Sequence, residues 1–294
     1  MSHLRKYKEI FFEVLLAGVA YVFYGLLRII GLNASRHFLG RITGCIGPRI
    51  SKSKRARRNL KKIFPDLTQE QQNKIVSGMW KNLAYVVAEY GHLEKIKIFD
   101  NPHIRVDGIE HLYALRDDHQ PGLIFTGHLG NWEMVSLLCA QAGVPVAQVY
   151  REANNRFINK LVRRLQEEGT SHLIPKGPEG GRKSLAALKA GQHLILLIDQ
   201  KMNNGMSVPF MGHEAMTAPG LARLAERFSC PVLPVQVERE GVDRFVITCY
   251  PPLVFTQSQD QDRYRRFMMQ VHELLASWVV KRPEQWLWLH NRWP

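Results

Sequence analysis

Cysteine is scarce and solitary in this 294-residue chain: Cys45, Cys139, Cys230 and Cys249 are scattered, with no C-x-x-C pair among them. A thiolate zinc site and a disulfide framework are thereby excluded, and a reducing compartment fits. Missing too are the G-x-S-x-G elbow, the Walker loop, the H-E-x-x-H helix and the dinucleotide-binding G-x-G-x-x-G. With them go the commonest serine-hydrolase, nucleotide-hydrolase, zinc-protease and Rossmann readings. No internal repeat or low-complexity linker divides the chain, so one or at most two domains are expected.

Acidic residues are nearly absent from the first 62 positions, which hold only Glu9 and Glu13 against fourteen Lys and Arg. Of the net charge of +14, +12 therefore belongs to this segment and +2 to the other 232 residues. A near-neutral body disfavours a protein built to coat nucleic acid, and no nucleic-acid partner is expected. What remains is a globular domain, 45% apolar overall and long enough for a full core, with a cationic N-terminal attachment.

Behind Arg5, Lys6 and Lys8 runs an apolar stretch of twenty-three residues, Ile10 to Leu32, interrupted only by Glu13 and Arg28. As a helix it would measure about 35 Å, against a hydrocarbon core of roughly 30 Å, so it is long enough to span. Its two charges sit near the ends, within reach of the headgroup layer. The charge-free part, Val14 to Leu27, is only fourteen residues long, which leaves an interfacial or half-inserted helix open. A buried core helix and a cleaved signal peptide are the other readings. Membrane anchoring is the expectation, because no small-x-small cleavage site follows. From Arg36 to Lys62 come ten basic residues and no acidic one. Beside an apolar helix such a run is drawn to an anionic membrane surface by about 1 kcal/mol per charge, and the positive-inside bias places everything after residue 33 in the cytoplasm; a solvated helical face and a nucleic-acid arm are the other readings of the run.

Thr68 to Tyr90 reads as one amphipathic helix, with capping-box spacing between Thr68 and Gln71 and a stripe through Val76, Met79, Leu83, Val86 and Tyr90. From Gly122 onward short apolar runs alternate with helical segments. Gly122–Thr126, Pro145–Val149, His193–Ile198, Pro231–Val237 and Arg244–Cys249 are strand candidates; residues near 131–142, 154–168, 180–190 and 218–229 are helical ones. This is an α/β pattern with a mainly parallel sheet flanked by helices, preceded by a membrane helix and a basic helical segment. The organisation expected is a membrane anchor over 1–33, a basic helical part over 34–120 and an α/β core over 121–294, closed by a helix through Phe267, Val271 and Trp278. The Trp-rich tail that follows is either interfacial or core.

In open α/β sheets the chemistry lies at the carboxyl ends of strands. The first buried strand candidate runs directly into Gly127-His-Leu-Gly-Asn-Trp-Glu133. A tight strand-to-helix turn there would put His128 at a helix N-terminus and Glu133 one turn in, where its carboxylate accepts an imidazole N–H and leaves the other nitrogen as a general base. About one His-x4-acid match is expected by chance in a chain of this composition, and there is one, so spacing alone leaves a catalytic and a structural His128 both open.

The block Phe125-Thr-Gly-His-Leu-Gly-Asn-Trp-Glu133 resembles the hallmark block of the bacterial lipid A late acyltransferases, the lauroyl and myristoyl transferases of the wider lysophospholipid acyltransferase superfamily. Further blocks agree in order: Gly108-Ile-Glu-His-Leu112, Val149-Tyr-Arg151 with Asn154-Asn155, Asp199-Gln200 with Val208-Pro-Phe-Met-Gly212, and Trp288-Leu-His290 with Arg292. The resemblance covers essentially the whole chain. It implies a membrane-bound enzyme at the cytoplasmic side of the bacterial inner membrane that moves an acyl chain from an acyl carrier protein thioester to a hydroxyl of a phosphorylated glycolipid, a lipid A precursor. A glycerophospholipid or other glycolipid acceptor, and a non-enzymatic membrane-tethered binding module, are the alternatives. No acyl-enzyme, metal or cofactor is implied; the carrier protein is a co-substrate. His128 and Glu133 are the expected catalytic pair, and Arg151, Asp199, Gln200 and Asn131 the expected substrate-binding residues. Lys201-Met-Asn-Asn204 departs from the acidic-aromatic pair of the enteric enzymes, so acyl length and acceptor position stay open.

Overall fold

The computed structural model describes residues 2–167 and 172–293, so the last residue of the helix expected over 154–168 lies outside the described residues. The chain opens with α1 (Ser2–Ile30), α2 (Leu32–Ile46), α3 (Ser53–Ile63) and α4 (Gln69–Tyr90). Gly31, at φ +83°, breaks the apolar run into two helices at a conformation that other residues resist. α4 starts where the sequence says it should: the Thr68 side chain accepts from the Gln71 backbone N–H, and the Gln71 side chain accepts from the Thr68 N–H. Within α1 the segment Ile10–Ile30 has a mean hydropathy of 2.1 and is apolar and long enough to cross a membrane.

The body alternates strands and helices: β1 (Ile104–Asp107), α5 (Ile109–Asp117), β2 (Leu123–Thr126), α6 (Glu133–Gln141), β3 (Val146–Tyr150), α7 (Arg156–Glu167), β4 (His172–Pro175), α8 (Pro178–Lys189) and β5 (His193–Leu197). A two-stranded antiparallel hairpin follows, β6 (Met206–Phe210) with β7 (His213–Thr217), and then α9 (Gly220–Phe228), β8 (Val232–Glu240), β9 (Arg244–Cys249) and α10 (Arg263–Lys281). Seven strands form one sheet in the order β1-β9-β8-β2-β5-β3-β4. Only the β8–β9 pair is antiparallel, so the sheet is mainly parallel as expected. Its central strands β2 and β5 are continuous apolar runs because helices cover both faces. One core, on one side of the sheet, joins Phe125 and Leu194 to Phe267, Leu275 and Trp278 of α10; the other joins Ile124 and Ile195 to Met134 and Leu138 of α6.

The structure adds a hairpin that the sequence did not reveal and resolves the place of the tail. Residues 205–220, which hold none of the strand candidates, contain the β6–β7 hairpin, whose alternate positions Val208, Phe210, Ala215 and Thr217 are buried. The tryptophan tail is core: Trp286, Trp288 and Trp293 are each at most 2% exposed and pack on one another with ring centroids 4.7–6.3 Å apart.

The basic α3 is part of the body. Its Asn59 amide donates to the carbonyls of Trp288 and His290 at 2.9 and 2.8 Å, Arg58 donates to Asn291 at 2.7 Å, and Arg55 to the Leu289 carbonyl. The same helix still exposes Lys54, Arg55, Arg58, Lys61 and Lys62.

Candidate active site

Strand register assembles the site. β2 and β5 are parallel neighbours with Thr126 opposite Leu197, so the residues two beyond each, His128 and Asp199, emerge side by side at the carboxyl edge. Their bonds are short. Asp199 Oδ1 accepts from His128 Nδ1 at 2.7 Å, and Oδ2 accepts from the His128 backbone N–H at 2.8 Å. The Trp286 indole N–H, from the tail, is the third donor to the carboxylate, reaching Oδ2 at 2.8 Å. Burial alone would raise the Asp199 carboxyl, but the His128 imidazole beside it, with the His128 backbone N–H and the nearby His290, holds it well below the usual carboxylate range. An ionised Asp199 fixes the proton of His128 on Nδ1 and turns the Nε2 lone pair outward.

That lone pair faces a cavity of roughly 270 Å³. Its walls are apolar, with Val149, Val162, Leu196, Ile198, Met202 and Leu221; its polar lining includes Tyr90, Glu133, Gln148 and Gln166, and the exposed Arg151 and Lys176 stand at its rim. The Gln200 amide nitrogen lies 3.2 Å from His128 Nε2 and 3.5 Å from His290 Nε2. The His128 and His290 rings stand 5.3 Å apart, and Trp132 packs on His128 at 5.0 Å.

Three expected roles are corrected by this geometry. Glu133 makes no hydrogen bond to His128: it accepts from Tyr90, from Gln166 at 3.1 Å and from Gln148 at 3.5 Å, and is 2% exposed. The cause lies in the loop. His128 is not in the helix; Leu129 bridges to Trp286, Gly130 turns the chain at φ +55°, and α6 begins only at Glu133. The expected helical relation between residues 128 and 133 therefore never forms. A Cβ at Gly130 would sit 2.2 Å from the Val237 carbonyl, so the turn depends on glycine. Asn131 is fully buried away from the cavity, with its amide donating to Glu89 at 2.7 Å and its carbonyl accepting from the Glu133 N–H at 3.1 Å. It braces the loop and does not face substrate. Asp199, expected to meet substrate, is 0% exposed and holds His128. Of the expected residues, His128, Glu133, Arg151 and Gln200 line the one cavity.

Sequence reasoning missed Tyr90, Gln148, Gln166 and His290. His290 lay in a recognised block, but its approach to His128 depends on the tail folding back across α3. Glu89 was missed as well, although a carboxylate among the apolar positions of α4 is itself a signal. It is fully buried and accepts from Arg36 at 2.7 Å and from Arg239 at 2.7 and 2.8 Å.

Burial pushes His290 and His272 down to about 4, the former helped by His128 and the latter by Arg292. Both are neutral in the fold, whereas in the unfolded chain they take up protons near pH 6.5. Between pH 6.5 and 4 the unfolded state therefore binds more protons, and stability falls as the pH is lowered through that window. The slope is up to about 1.4 kcal/mol per pH unit for each histidine. Denaturant midpoints at pH 7.5, 6 and 5 check this: a flat profile would contradict it.

Comparison with known proteins decides the family. The family model described as bacterial lipid A biosynthesis acyltransferase matches residues 7–294. The chain belongs to this family. It is 22% identical over 274 residues to a lipid A biosynthesis acyltransferase of Haemophilus influenzae, an alignment covering 90% of this chain and 83% of the relative. The crystal structure of the 1-acyl-sn-glycerophosphate acyltransferase of Thermotoga maritima superposes on 87% of this chain and 97% of its own. At 14% identity and a TM-score of 0.38 that likeness is too low to carry weight. The chain is thus an acyltransferase, and among its described residues no Ser, Thr or Cys side chain hydrogen-bonds to His128. Of the cysteines, Cys139, Cys230 and Cys249 are buried, and burial pushes the thiols of Cys230 and Cys249 up to about 11 and 12, which leaves them poor nucleophiles.

Proposed function

We propose that this acyltransferase moves a fatty acyl chain from an acyl carrier protein thioester directly to a hydroxyl of a phosphorylated lipid A precursor, at the cytoplasmic face of the bacterial inner membrane. The observation that carries the reading is the His128–Asp199 pair, with Nε2 opening onto an apolar-walled cavity and no Ser, Thr or Cys side chain among the described residues bonded to it. The family match supports the acceptor class.

In the proposed reaction the acceptor hydroxyl displaces the Gln200 amide from His128 Nε2, which takes the hydroxyl proton as the oxygen attacks the thioester carbonyl carbon. Asp199 stabilises the imidazolium that forms. Collapse of the tetrahedral intermediate breaks the C–S bond, and the proton on Nε2 goes to the departing thiolate of the carrier. The new ester and the free thiol balance the reaction. The apolar walls, Leu196 and Ile198 among them, receive the acyl chain, while Arg151 at the rim meets an anionic group of either substrate. α1, with Phe11, Phe12, Val19 and Ile29 each at least 60% exposed, supplies the membrane attachment.

Mass spectrometry of total lipids from a deletion strain tests the acceptor. Loss of one acyl chain from lipid A, with glycerophospholipids unchanged, is expected. Intact lipid A with altered glycerophospholipids would move the activity to the other acceptor class, and no change in either would remove both acceptor classes.

A further inference from the structure

We infer that α1 does not cross the bilayer but lies along its cytoplasmic leaflet, the outer face in the acyl chains and both ends on the side of the catalytic body. This rests on the membrane attachment proposed above and specifies its geometry. The inward seam of α1 runs through Ile10, Glu13, Ala17, Ala20, Tyr24 and Leu27, the half-buried and buried positions spaced three and four apart. Leu27 and Tyr24 pack with Leu39 of α2 and Ala84 and Ala88 of α4.

Polar bonds bracket both ends of the seam to the body. The Glu13 carbonyl accepts from the Asn155 amide at 2.8 Å, and its carboxylate stands 3.8 Å from Arg156 at the start of α7. Near the other end Arg28 donates to the Gly91 carbonyl at 2.9 Å and pairs with Glu94 at 2.8 Å. The two charges that interrupt the apolar run are thus spent on the body and not on opposite headgroup layers. The brackets are about 22 Å apart along the helix, most of the thickness of a hydrocarbon core. A crossing α1 would carry α7 into the hydrocarbon, with its exposed Arg156, Lys160, Arg163 and Arg164.

Charge gives the same answer independently. Arg5, Lys6 and Lys8 precede the apolar run, and Arg36, Arg41 and the α3 cluster follow it, so both flanks carry the cytoplasmic signature. The outer face is apolar throughout: Phe12, Leu16, Val19 and Val22 are each more than half exposed. α2 also exposes the apolar Phe38, Ile42 and Ile46, together with Arg41 and Arg49. An apolar face with basic flanks, backed by a protein body, fits one anionic leaflet at the boundary of headgroups and acyl chains.

The full chain in its native membrane tests this. Cys45, exposed on α2, reports the side of the body; a second protein with Cys45→Ser and Ser2→Cys reports the N-terminus. With a membrane-impermeant maleimide, both are expected to react in inverted vesicles and at least tenfold less in intact spheroplasts. A nitroxide on Val19→Cys, in the Cys45→Ser background and in vesicles containing anionic lipid, is expected about 5–10 Å below the headgroups. Labelling of Ser2→Cys from outside spheroplasts, or a nitroxide at the bilayer midplane, would overturn the in-plane helix while leaving membrane attachment intact. Recovery of the wild-type chain in the soluble fraction would overturn both.

Discussion

Asp199→Asn is expected to lower the rate of acyl transfer by a factor of about a thousand to ten thousand, with the fold retained, because an amide in place of the carboxylate no longer dictates which nitrogen of His128 carries the proton. Both oxygens of the carboxylate are committed to this role, Oδ1 to the imidazole and Oδ2 to the His128 backbone and Trp286. His128→Ala is expected to lose as much, and the double variant little more, since the two act as a unit. Initial rates with acyl carrier protein donor and a lipid A precursor, alongside circular dichroism and thermal melts, make the measurement. Glu133→Gln serves as the contrast. Its expected loss is smaller, since the partners of Glu133 are Tyr90, Gln148 and Gln166 and not the base. If Glu133→Gln were dead and Asp199→Asn active, the His128–Asp199 assignment would fall.

The largest effect on stability is expected at Glu89. This fully buried carboxylate accepts from Arg36, Arg239 and Asn131, so that one side chain joins α2, α4, β8 and the loop carrying His128. Arg239 also donates to Asn82, whose amide reaches the Gly130 and Gln285 carbonyls at 2.9 and 3.1 Å. Glu89→Gln leaves two guanidinium groups buried without a counter-charge, which costs about 3–5 kcal/mol. Urea unfolding should show the midpoint falling by an amount that matches. Arg239→Met, which leaves Glu89 paired with Arg36, should cost less. Equal stability of Glu89→Gln and wild type would mean that the network is solvated and relaxed in solution.

The parts of this molecule legible in the sequence are those decided over a few neighbouring residues. The capping box before α4, the apolar runs of β2 and β5 and the helical stripe of α10 are local patterns, and the structure carries each of them. β1, β4 and the β6–β7 hairpin were not legible, because strands of four or five residues with mixed polarity take their conformation from the partners they find. The site follows the same division. His128 was found through a strand end followed by glycines, which is local. Its true partner lies 71 residues away, brought in by the parallel pairing of β2 and β5, and no spacing rule in the sequence encodes that adjacency. Glu133 was the natural choice for a reader restricted to one helix turn, and it was displaced by a turn that needs three residues outside the helix. The basic segment shows the complementary case: its charge was plain, but the face of α3 that meets the tail is defined by Asn59, the one neutral polar residue between Arg58 and Leu60.

The clasp between α3 and the tail has a bearing on the order of events during synthesis. Asn59 meets Trp288 and His290 across separations of 229 and 231 residues, Arg58 meets Asn291 across 233, and Trp286 completes the Asp199 carboxylate across 87. Contacts of that range close late, since the chain between them must already be ordered. The sheet can form while translation proceeds, and under the proposed attachment α1 is made, and free to meet lipid, long before the tail. The catalytic base gains its last supporting bond only when residue 286 has been made and folded back. Under the membrane attachment proposed above, α1 is therefore at the lipid surface before the support of His128 is complete, and the base is finished only once the tail has docked.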